Sequence, residues 1–97
     1  MVKNEKKKTW VVDFTQLNVE VTIDEFVTKD ISKGIGNYIH QSTEDIGIDD
    51  LAHEIYRKGK CELDEDQAAA IVDLVKRSNI EPYIRRPLID LILNVKK

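Results

Sequence analysis

Apolar and polar residues alternate from Trp10 to Ile23, and a period of two over that length predicts β-strands. In "TWVVDFTQLNVEVTI", Trp10, Val12 and Phe14 alternate with Val11 and Asp13. Leu17, Val19, Val21 and Ile23 then alternate with Asn18, Glu20 and Thr22. A fold at Thr15-Gln16 makes an antiparallel hairpin in which Phe14 faces Leu17, Val12 faces Val19 and Trp10 faces Val21. All six then share one face, and a slip of one residue would lose the match. Thr-Gln lacks the glycine or asparagine that two-residue turns favour, so a looser four-residue turn in the same register is the alternative.

A lone hairpin needs a cover for its apolar face, and the pattern then lengthens to helical spacing. A first helix is predicted over 28–41, with Ile31, Ile35, Tyr38 and Ile39 on one side. A second follows in "GIDDLAHEIYRKG". Its stripe is Ile48, Leu51, Ala52, Ile55 and Tyr56, with Asp49 and Asp50 early, Arg57 and Lys58 late, and Gly59 to end it. The third is signalled by Asp64 and Gln67, spaced as a capping box, with Leu63 and Ala68 placed for a staple. Its buried stripe is Ala68, Ile71, Val72 and Val75, and Asn79 is suited to a left-handed end. A fourth starts at Pro82, and Pro87 predicts a kink or break near Arg85 and Arg86. These elements predict an α+β fold, an N-terminal antiparallel β-hairpin packed against three to four α-helices. Residues 1–97 are expected to form a single domain, with flexible ends at 1–8 and 95–97.

Composition narrows the class. The chain has 97 residues, 41% of them hydrophobic and 34% charged, as in an ordinary globular domain. No apolar run reaches the roughly 18–20 residues that span a bilayer, and no signal core follows the charged start, so a cytoplasmic protein away from membranes is expected. The single cysteine, Cys61, excludes an internal disulfide. The net charge of −3 is uneven, with an acidic middle and a basic tail.

Candidate chemistry is sparse. "GIG" at 34–36 matches half of a dinucleotide fingerprint, but Ile39 stands where the third glycine belongs. On the helical pattern Gly34 borders the packed face and Gly36 is exposed. His40 and His53 fall on outer helix faces without a paired-ligand spacing. The cations of "RKGK" before Cys61 would lower its pKa, but no base lies near it in sequence. No catalytic residue, metal or cofactor is expected.

The last helix carries more. Ile84, Leu88, Leu91, Ile92 and Val95 cover one face, while Ile89 and Leu93 point to the other. A helix apolar nearly all round is either enclosed or in contact with a partner. The partner reading makes Ile89, Leu93 and the neighbouring Arg85 a protein interface, with another protein or a second copy as partner. The alternative is weak nucleic-acid binding through the basic ends, with Tyr83, Arg85 and Arg86 on the phosphate backbone.

The order "DISKGIGNYIHQ", "DDLAHEIYRKGKCELDEDQAAAIVDLVKRS", "PYIRRPLIDLIL" over residues 30–93 resembles small proteins of unknown function encoded by bacteriophages and prophages. The chain departs from their pattern at Gly34 and Gly36, where alanine or leucine is usual. The resemblance implies a small accessory or structural phage-type protein and carries over no functional residue. The function expected of the chain is that of a non-enzymatic interaction or assembly protein, with a phage or mobile-element origin as one reading.

Overall fold

The computed structural model describes residues 8–94. Val95 and the expected flexible ends, Lys8 excepted, lie outside that range. Among the described residues the elements run β1 (Thr9–Asp13), β2 (Leu17–Thr22), β3 (Glu25–Lys29), α1 (Ser32–Ser42), α2 (Ile46–Lys58), β4 (Lys60–Asp64), α3 (Glu65–Lys76) and α4 (Pro82–Leu93). The α+β class stands, with an antiparallel N-terminal hairpin and four helices packed together.

The strand faces are as the alternation requires, but the partners differ. Val12, Phe14, Leu17 and Val19 are buried, and Trp10 and Val21 pack half-buried beside them. Yet β1 pairs with β4, placing Trp10 opposite Leu63 and Val12 opposite Cys61. The hairpin is β2–β3, with Leu17 opposite Lys29 and Val19 opposite Val27. Bonds made around the expected turn explain the change. The Asp13 carboxylate accepts from the Thr15 backbone N–H (2.9 Å) and hydroxyl (2.6 Å). Those bonds, the hydroxyl's first, hold its carboxyl below the usual carboxylate range. The backbone of Phe14 is already committed, its N–H to the Gly59 carbonyl (2.7 Å) and its carbonyl to the Ile31 N–H (2.9 Å). The hairpin turns instead at Ile23-Asp24. Asp24 takes a left-handed φ of 68°, which aspartate tolerates, and donates its N–H to Glu20 Oε2. Ile23 therefore leaves the strand and is 87% exposed.

Three local helix signals hold, and several boundaries shift. Asp64 and Gln67 form the full capping box of α3. However, α3 ends at Lys76 and Asn79 is not left-handed. The first helix starts at Ser32 because Thr28 and Lys29 belong to β3. Gly59 ends α2 at φ 81°, where a side chain would also collide with the Thr15 methyl. Pro82 opens α4, and Pro87 does not break it, since the helix continues to Leu93.

The two glycines exchange roles. Gly36 is buried, and a Cβ there would lie 3.0 Å from both the Ala52 carbonyl oxygen and Tyr56 Cβ. Gly34 is exposed, with nothing within 4 Å. The contacts of Gly36 with Ala52 and Tyr56, and of His40 with Asp49 further along, make α1 and α2 an antiparallel pair. Two long hydrogen bonds tie the layers together. Tyr38 Oη donates to the Leu74 carbonyl (2.6 Å), and Trp10 Nε1 donates to the Ile92 carbonyl (2.9 Å).

Candidate functional site

The β2–β3 hairpin presents the most conspicuous surface. The inner side of β2 enters the core through Leu17 and Val19, against α4. Beyond that contact the hairpin is uncovered: residues 25–28 of β3 are exposed, and Lys29 is half-buried. Phe26 is 58% and Val27 42% exposed. Among the described residues β3 pairs only with β2, so its outer edge carries unpaired backbone N–H and C=O groups. The sequence concealed this strand because "EFVTK" is too short for a clear period.

The residues expected on the last helix are divided. Ile89 is half-buried against the core, while Leu93 is exposed. Arg85 donates from Nη1 to the Ile80 carbonyl at 3.3 Å, so part of its donor capacity is used within the chain. Tyr83 and Arg86 are exposed, and Arg86 Nε lies 3.4 Å from the Pro82 carbonyl. On another side of α4, Ile84 and Leu88 join Ile31, Ile35, Tyr38 and Ile80 around an open groove of about 830 Å³.

No family model, curated protein or solved structure matches the chain. No helix among the described residues is long and apolar enough to cross a membrane.

The α1–α2 pair brings together a group that spacing alone did not reveal. His40 Nδ1 lies 2.5 Å from Asp49 Oδ1, and His53 Nδ1 lies 2.8 Å from the Asp49 backbone oxygen and 3.8 Å from Oδ1. The two imidazoles meet edge to face, with centroids 5.1 Å apart. A shallow cleft of about 250 Å³ adjoins them, lined also by Gly36, Asn37, Tyr56 and Arg57. The available signal was Asp49 and His53, four residues apart and hence on one helix side. The position of His40 depends on how α1 packs.

Cys61 is not the activated thiol its basic neighbours suggested. It is buried opposite Val12, and burial, helped by the nearby Glu54 carboxylate, pushes its pKa up to about 12. A thiol so protonated packs as a small apolar group.

Proposed function

We propose that this chain is a non-enzymatic assembly protein that pairs with a second copy of itself along the outer edge of β3. The observation that carries the reading is the free, exposed edge of Glu25–Lys29. The contact shifts from the last helix to β3 because Ile89 is half-buried against the core, whereas Ile23, Phe26 and Val27 meet solvent.

The strand is complementary to itself. An antiparallel pairing about a two-fold axis at Val27 sets Val27 against its own copy and Phe26 against Thr28. It sets each Glu25 against a Lys29 of the other chain, on the same face as Val27. Two ion pairs then flank an apolar centre, and two hairpins become one four-stranded sheet. Opposite charges at these positions give the register a preference that backbone pairing alone lacks. Five residues per strand is a small contact, so a weak dimer is expected. Such a role is compatible with the small accessory or structural protein that the resemblance of residues 30–93 implies.

Sedimentation equilibrium tests the proposal. Lys29→Glu should weaken the dimer by opposing two carboxylates, and adding Glu25→Lys should restore it. A chain that stays monomeric up to about 1 mM overturns the reading. So does a dimer indifferent to Lys29→Glu. Salt-sensitive retention on DNA or RNA by such a monomer would favour the basic ends instead.

A further inference from the structure

We propose that His40, Asp49 and His53 form a binding site for one divalent transition-metal ion of the zinc, cobalt and nickel class. The three belong to different parts of the chain. His40 is in the last turn of α1, Asp49 in the first turn of α2, and His53 one turn further on. One ligand atom from each falls within 4.8 Å of the others.

The donor set defines the class of ion. Two imidazoles and one carboxylate, with no thiolate, suit zinc and its neighbours and not magnesium or calcium, which prefer all-oxygen shells. Three protein ligands leave one tetrahedral position for water or a small anion. Bonds of about 2.0–2.1 Å place tetrahedral ligand atoms about 3.4 Å apart, so the widest pair must close by at most about 1.4 Å and the 2.5 Å His40 Nδ1–Asp49 Oδ1 pair must open by about 0.9 Å. Side-chain rotation supplies that movement, since the His40 and His53 side chains are 53% and 42% exposed.

The hydrogen bonds already present favour ligation. His53 can donate its Nδ1–H to the Asp49 backbone carbonyl, which leaves Nε2 as a free donor pair and fixes the ring plane. A ligand histidine is normally held by such an outer bond. At 2.5 Å the His40 Nδ1–Asp49 Oδ1 contact holds together through a shared proton on one of the two atoms. An ion would replace that proton once side-chain rotation moved the two atoms about 1 Å further apart. Gly36 lies one turn before His40 and lets α1 approach α2 closely enough for His40 to reach Asp49. The adjoining cleft gives the open position access to solvent, and Arg57 on its wall could hold an anionic fourth ligand.

The site is independent of self-association and is tested on the untagged full chain with zinc(II) by calorimetry, and with cobalt(II) by visible absorption. One equivalent should bind, and cobalt should give the intense bands of a low-coordinate site. His40→Gln and His53→Gln should each weaken binding about tenfold or more. His40 is exposed and His53 half-buried, so the variants should fold, and circular dichroism checks this. Asp49→Asn should also weaken binding, whereas His40→Gln should leave the metal-free melting temperature close to that of the parent. No binding below about 1 mM overturns the proposal. Binding that survives all three substitutions overturns it as well, because the ion then sits elsewhere.

Discussion

Gly36 of α1 lies directly against Tyr56 of α2, so close that a methyl group at 36 would stand 3.0 Å from Tyr56 Cβ. The same methyl would be 3.0 Å from the Ala52 carbonyl oxygen, which is backbone and cannot swing aside. This contact sets the spacing of the two helices, and through it the distance from His40 to Asp49.

The two glycines of α1 should therefore respond oppositely to alanine. Gly34→Ala meets nothing within 4 Å and should stabilise the protein by about 1 kcal/mol through helix propensity. Gly36→Ala gains the same propensity but forces the helices apart, at about 1–3 kcal/mol of overpacking, and should be neutral to destabilising. Urea denaturation of both variants checks this. If Gly36→Ala proves as stabilising as Gly34→Ala, the close packing is wrong.

Strand β1 provides a test of facing. Val12 is buried and Val11 is 65% exposed on the opposite side. Val12→Asp should cost several kcal/mol, because it places an unpaired carboxylate in the core. Val11→Asp should change the melting temperature little. Equal effects would mean that β1 is not held with Val12 inward.

At the start of α3, the Asp64 side chain accepts from the Gln67 N–H at 2.8 Å, and Gln67 Oε1 accepts from the Asp64 N–H at 2.9 Å. Asp64→Ala should cost about 1 kcal/mol. Gln67→Ala loses the other bond, which serves the Asp64 N–H outside the helix. It leaves the helical N–H at position 67 capped and should cost less. The reverse order in chemical denaturation would place the cap elsewhere.

Cys61 predicts a pH dependence with a definite sign. Its folded pKa of about 12 exceeds the ordinary 9.0, so folding holds its proton more tightly. The thiol's contribution is complete below the ordinary value and declines as pH rises past it, because the unfolded chain ionises first. The parent should therefore lose stability relative to Cys61→Ala as pH climbs from 8 to 10. A disulfide reagent should label Cys61 slowly in the native protein and quickly in urea. Rapid native labelling would contradict its burial.

Much of the site depends on contacts too distant for local patterns to report. Asp49 and His53 share a helix side by spacing, but His40 joins them only because α1 runs antiparallel to α2. The edge of β3 was missed for another reason. Its five residues are nearly all exposed, so no buried face imposes a period on them.

What the sequence determined by itself was local. Alternation over Trp10–Val21 sets which side chains face inward, because successive residues on a strand point opposite ways. The capping box of α3, the left-handed Gly59 and the start of α4 at Pro82 follow from groups within a few residues of one another. Tertiary structure decided the partners. Pairing β1 with β4 brings Val12 to Cys61, and a chain whose next strand also alternates offers two candidates for that place. The choice rests on the backbone bonds of Phe14 to Gly59 and Ile31, which remote segments supply. Which glycine meets a neighbouring helix is likewise a property of the pair, since a helix's own period cannot say where the other helix will lie.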